Sequence, residues 1–285
     1  MPLTASRHVR ARNKFPAYFR DRMESVTKRR SRSIKKWAGM LSLTGGLVLV
    51  AINIIGFYNY TTIQNNNPHL LDDRPRTVSE MEFWNRALKK TGESDYQYVK
   101  RLTALVSDRM LLIDPAYAKP TLFENWILWI IARCSGRHQW IDTRKAVRLG
   151  GGFCSQHAIV FNNILRRQGF NARIVSLHGH VINEVFLNGE WKTFDPDYNV
   201  IFNVSLKRLE NQPEIVFRAY RAAGRPEREA QHWVEVFASD EDNRHFKTSM
   251  DYEPIDYFIE KASFFLIWII PVIMVFTGVL LKKKA

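Results

Sequence analysis

The chain has 285 residues and a formal net charge of +14, enough for one large domain or two small ones. The excess charge is concentrated. Twelve of the 42 Lys and Arg residues (Arg7, Arg10, Arg12, Lys14, Arg20, Arg22, Lys28, Arg29, Arg30, Arg32, Lys35 and Lys36) precede residue 37 against only Asp21 and Glu24, and Lys282, Lys283 and Lys284 close the chain. The rest is close to neutral and carries no basic patch interleaved with aromatics, which argues against a nucleic-acid partner.

Residues 1–36 read as a basic tail. Residues 37–58 (WAGMLSLTGGLVLVAINIIGFY) and 262–281 (ASFFLIWIIPVIMVFTGVLL) hold no charge, and about 20 helical residues cross a bilayer. Both read as transmembrane helices, with Pro271 kinking the second. A cleaved signal peptide is the competing reading of the first. The long basic lead and the absence of a small-x-small site favour a retained anchor. Basic residues beside both runs follow the positive-inside pattern, so both termini, including the short end at 282–285, are expected in the cytoplasm. The tail is also suited to anionic headgroups.

Residues 59–78 (NYTTIQNNNPHLLDDRPRTV) read as a polar linker, and 79–261 as the extracytoplasmic domain. Thr77 and Glu80 have capping-box spacing, with Met81, Trp84 and Leu88 on one helical face. A second helix is expected over 95–112 (Tyr98, Leu102, Leu105, Val106, Met110). A third is expected over 121–132, with Trp126 and Trp129 as core packing. Gly150, Gly151 and Gly152 precede Cys154, and 155–168 reads as a helix burying Ala158, Ile159, Phe161, Ile164 and Leu165, with Gly169 at its C-terminal end. Strands are expected over 172–177, 181–187 and 190–194, the last two joined by Asn188-Gly189, a strong hairpin signal. A helix over 205–221 and a strand over 232–238 follow. Helices first and antiparallel strands after predict an α+β fold.

Cys154 at a helix start, His180 on the first strand of a hairpin and Asp195 ending the second suit nucleophilic catalysis. A helix N-terminus favours a thiolate, and the glycine run lets backbone approach a substrate carbonyl and offer an oxyanion donor. Folding at Asn188-Gly189 brings His180 and Asp195 together, in the Cys-His-Asp logic of papain-like enzymes. His178 shares a strand face with His180 by spacing, and His157 is expected to be solvated or substrate-lining. Trp191 is expected to pack on the hairpin. No metal-ligand spacing is present. Cys134 and Cys154 are the only cysteines. A disulfide between them competes with the reactive-thiol reading, which expects Cys154 reduced and Cys134 buried.

Gly152-Phe153-Cys154, Ala158 and the run Leu165–Arg173 (LRRQGFNAR), followed by His180 to Phe186 (HVINEVF), Asn188 to Trp191 (NGEW) and Phe194-Asp195-Pro196, resemble the transglutaminase-like superfamily. Its pattern runs G-x-C-x-x-x-A, L-L-R-x-x-G-I-x-A-R, H-A-W-x-E-V-Y, G-x-W and D-P. Val181-Ile182 departs from its Ala-Trp. The resemblance implies a papain-like core (the cysteine helix packed on an antiparallel sheet), a Cys154, His180 and Asp195 triad, no cofactor, and an amide substrate of a peptide or protein. An upstream aromatic or Gln (Trp126, Gln139 or Trp140) is left open as the oxyanion donor. His232-Trp233-Val234-Glu235 copies the histidine block locally without its following motifs. Expected function is cysteine-dependent hydrolysis (protease or amidase) or acyl transfer near a membrane. The alternative is a catalytically silent module of an envelope or glycan-assembly complex with a membrane protein partner. A bacterial inner membrane with a periplasmic domain fits best. Asn59-Tyr60-Thr61 and Asn203-Val204-Ser205 leave a eukaryotic host open.

Overall fold

A computed structural model describes residues 17–72, 74–136, 138–238 and 243–284. Residues 1–16 of the basic tail, with Arg7, Arg10, Arg12 and Lys14, lie outside them. The chain divides into a unit of 1–51 with 268–285 and a unit of 52–267.

The first unit consists of most of helix α1 (Ala17–Tyr58) and the end of α11 (Pro254–Lys283). Both are long and apolar enough to cross a membrane. α1 begins twenty residues before the apolar run, because Arg, Lys and Ser are all tolerated in a solvated helix. The two helices approach through small residues. The Ser42 hydroxyl donates to the Met274 carbonyl at 2.7 Å, and a Cβ on Gly46 would stand 2.8 Å from the Pro271 oxygen.

The second unit contains, in order, α2 (Glu80–Arg86), α3 (Asp95–Arg109), β1 (Leu111–Leu112), a 3-10 turn (Pro115–Tyr117), α4 (Trp126–Ser135), α5 (Thr143–Leu149), β2 (Gly151–Gly152), α6 (Cys154–Arg167), β3 (Ala172–Ser176), β4 (Val181–Leu187), β5 (Glu190–Asp195), β6 (Val200–Phe202), α7 (Leu206–Asn211), α8 (Pro213–Ala222), α9 (Glu227–Ala238), β7 (Arg244–Phe246) and α10 (Ser249–Tyr252). It is a mixed helix and sheet fold. The main sheet is antiparallel, ordered β6-β5-β4-β3-β7. Helix α6 is its centre, buried from Cys154 through Asn162 and packed on β3 and β4. Ala172, Val185, Leu187 and Phe194 join α3 and α6 in one core. On the other face, the opposed pair Val175 and Ile182 meets α7, α8 and α9.

Several expectations are corrected. The linker 59–78 is built into the fold: Ile63 and Val78 are buried, Ile63 N–H donates to the Leu149 carbonyl at 2.9 Å and Leu71 N–H to Leu112 at 2.9 Å. Arg76 donates to the Ile63 carbonyl and, at 2.7 Å, to that of Gly150. Helix α2 is capped by Ser79, whose hydroxyl accepts from Glu82 N–H, and buries Phe83 while Met81 and Leu88 stay exposed. The face was misread because apolar residues occupy two sides of a two-turn helix. Pro213 divides 205–221 into α7 and α8, since its ring cannot donate an N–H to a continuing helix. Residues 232–238 belong to helix α9, not a strand: Ala230, Trp233, Val236 and Phe237 are buried at helical spacing. Cys134 is exposed near the end of α4, and both cysteines are free thiols.

Candidate active site

The path of the backbone places Cys154 at the first turn of α6. Gly150 closes α5 with φ 70°, Gly151 and Gly152 pair in parallel with Leu111 and Leu112, and Phe153 is the extended N-cap. A Cβ at Gly152 would come within 2.5 Å of the Gln156 Cβ, so a larger residue would push the turn away. The glycine run thus serves the route of the chain into α6. Phe153 supplies no side-chain cap, and the partial positive charge of the helix end falls on Cys154.

His180 and Asp195 meet through the hairpin. Asn188 and Gly189 take φ values of 53° and 87°, the left-handed pair that matches strand twist. The register then opposes Asn183 to Phe194, which leaves the next residue, Asp195, on the face away from α6. His180 Nε2 stands 2.8 Å from Asp195 Oδ2. That contact occupies one ring nitrogen only, and Cys154 is near enough to act on the imidazole, adding to the rise of its pKa. The carboxylate is held from further directions. The Tyr220 hydroxyl donates to Oδ2 at 2.5 Å, and Asp197 N–H donates to Oδ1 at 3.0 Å, as Tyr198 N–H does at 3.4 Å. The Trp233 ring lies 4.5 Å from His180 and stacks on Tyr220. Cys154, His180 and Asp195 are only 4%, 2% and 0% exposed.

Burial alone would lower the imidazole pKa, but the charge and hydrogen bond of Asp195, with Cys154 adding, raise it well above its ordinary range. Burial would raise Asp195, but His180, Tyr220 and Tyr198 N–H hold it below the usual carboxylate value. Burial and the Asp195 charge push Tyr220 well up, keeping its phenol protonated as a donor.

The neighbouring histidines fall elsewhere. His178 is exposed in the turn before β4, so it shares no strand face with His180. His157 is completely buried rather than solvated. Its Nδ1 lies 3.0 Å from the Phe153 carbonyl and its Nε2 3.0 Å from that of Met110, which ties the first turn of α6 to the end of α3. Asp197 Oδ1 is 3.7 Å from His157, and burial followed by the Asp195 charge raises the Asp197 carboxyl pKa. Gln156 clasps Trp140, accepting its N–H at 2.8 Å and donating to its carbonyl at 2.7 Å. Trp140 and the buried Gln139 therefore sit on a loop fixed to the start of α6, whereas Trp126 lies on α4. Trp191 packs on the outer face of the hairpin between Phe186 and the Arg173 guanidinium. Among the described residues no group of three His, Cys, Asp or Glu is arranged to hold a metal.

The family model described as the transglutaminase-like superfamily matches residues 84–196, a stretch that contains Cys154, His180 and Asp195. These residues form a transglutaminase-like domain. No curated protein matches the chain as a relative. The match reaches upstream of the first motif, at Gly152, to take in α3, α4 and α5. Tyr220 and Trp233 come from α8 and α9, beyond the matched transglutaminase-like residues. Sequence reading missed both, although Trp233 lies in the local copy of the histidine block. Their contacts with the cluster span 25 residues or more, and no short motif carries them.

Proposed function

We propose that the protein is a membrane-anchored cysteine enzyme that breaks an amide through a thioester on Cys154. The observation that supports this reading is the buried His180–Asp195 pair at 2.8 Å, with Cys154 at the first turn of α6 among the groups acting on the imidazole. His180 takes the thiol proton, and the thiolate attacks the substrate carbonyl. The tetrahedral oxyanion collapses, the C–N bond breaks, and the amine leaves with the proton from His180. Water or an acceptor amine then attacks the thioester, giving its proton to His180. The sulfur departs as thiolate, and a carboxylic acid or a new amide is released. Asp195 holds the imidazole in orientation and stabilises its charge. The basic residues beside both apolar runs support cytoplasmic termini and a domain on the opposite side, in a bacterial cell the periplasm. Anchoring at both ends favours peptide or protein amides held near the bilayer.

The near-complete burial of Cys154 and His180 favours one other reading, a silent module that binds a membrane partner. Alkylation of Cys154 in the full chain, followed against pH with and without His180→Ala, separates the two. An enzyme reacts below the pH at which a free thiol does (pKa about 8.5) and loses that advantage with His180. Reactivity like that of a free thiol in both proteins would set the enzyme reading aside.

A further inference from the structure

Helix α4 is apolar along its length, yet it fully buries only Leu128 and Ala132. Ile130 is 47% exposed, and Phe123 in the preceding turn is 43% exposed. On α4 the half-buried Ile127 and the exposed Ile130 and Cys134 follow one another at helical spacing, and exposed Phe123 in the turn before the helix extends this apolar surface. Aqueous proteins seldom leave such a surface bare without a partner. Beside it, the Arg133 guanidinium lies 4.7 Å over the Trp129 ring, and both residue types favour the membrane–water interface.

Where α4 begins identifies the partner. Asn125 caps it by accepting from Leu128 N–H and donates to the Ser263 hydroxyl at 2.8 Å. The Phe123 carbonyl packs on Gly56, where any side chain would collide with it. Gly56 belongs to the last turn of one apolar run, and Ser263 to the first turn of the other. Both fixings thus lie where the chain leaves and re-enters the hydrocarbon. Ile255 and Phe258, in α11 just before the second run, are exposed as well. Ten residues, about 15 Å of helix, are too few to span a bilayer but suit a helix lying in its surface.

We propose that α4 lies along the bilayer surface with Phe123 and Ile130 sunk at the headgroup–acyl boundary, the partner being the lipid itself. This rests on the reading of the two apolar helices as membrane spans. Because the loop after α4 is clasped by Gln156, the start of α6 is then held at a fixed height above the lipid. Substrates at the membrane surface gain access over soluble ones.

The test uses the full chain in nanodiscs of phosphatidylethanolamine and phosphatidylglycerol, with Cys134→Ser and Cys154→Ser as background. A nitroxide is placed in turn at the exposed sites Ile130→Cys, Met81→Cys and Phe276→Cys. Ile130 should resemble Phe276, with oxygen collisions dominant and collisions with an aqueous nickel chelate several-fold fewer than at Met81. An Ile130 label that follows Met81 while Phe276 stays lipid-like overturns the inference alone. A Phe276 label open to nickel overturns the membrane reading itself.

Discussion

Asp195 receives four hydrogen bonds, from His180, Tyr220 and two backbone N–H groups. Its charge is the largest of the effects that oppose the downward pull of burial on the imidazole. Asp195→Asn keeps the shape and removes the charge. His180 should then lose its proton at lower pH, and the thiolate should lose its counter-ion. The onset of Cys154 alkylation should move to higher pH, with the rate on the acid side falling about tenfold for each pH unit of displacement. Tyr220→Phe should leave that onset nearer the wild-type value, since the charge remains. The same residues set a pH dependence of stability. The raised His180 value contributes stability that is complete below about pH 6.5 and fades as pH rises through the raised value. The lowered Asp195 value contributes above the ordinary carboxylate range and fades only as pH falls through the lowered value. Thermal unfolding from pH 5 to 10 should show the alkaline loss in the wild type and a flatter profile in Asp195→Asn.

The hairpin β4–β5 is the element that sequence conveys most fully, because its turn, alternation and register are all local. Glu184 shows where locality ends. It sits within the H-x-x-x-E-V motif, but its partners come from three other elements: Arg173 on β3 at 2.6 Å, Leu206 N–H at 2.9 Å, and His245 on β7 at 3.3 Å. Burial raises its pKa, and these donors more than reverse that. Glu184→Ala leaves the Arg173 guanidinium and the Leu206 N–H without their acceptor, and losing a charged hydrogen-bond partner costs about 1.5–3 kcal/mol. Urea unfolding should show a loss of that size with little change in the slope. Helix α9 was illegible for a different reason. His232 to Ala238 alternates well enough for a strand, and what decides for helix is burial against α8 and β6, together with Glu227 and Glu229 in the first turn, where negative charge favours a helix. Trp233 reaches His180 only because the segment is helical, so that part of the cluster was hidden with it.

At the scale of the whole molecule, the stretches joining the domain to the two apolar runs belong to its core. Sequence reading treated 59–78 as a tether because Asn, Pro and Asp are dense there, and composition does not reveal that Ile63 and Val78 are buried. At the other end Glu260 and Ser263 are buried. Glu260 accepts Ile141 N–H at 2.7 Å and Asp142 N–H at 2.8 Å, holding the loop that Gln156 clasps from the other side. A fragment that leaves out both stretches, 79–253, exposes the surfaces that these segments cover. Ile63 alone represents about 1.5–3 kcal/mol of burial, and a domain of this size has about 5–15 kcal/mol in total. Losing the Arg76 and Glu260 hydrogen bonds removes roughly 0.5–3 kcal/mol for each. Fragment 59–267 should therefore unfold cooperatively, and 79–253 should be unfolded or molten at the same temperature by circular dichroism and hydrogen exchange. Equal cooperativity in the two fragments would mean that these segments are tethers after all, and that the loop carrying Gln139 and Trp140 keeps its place without the membrane helix.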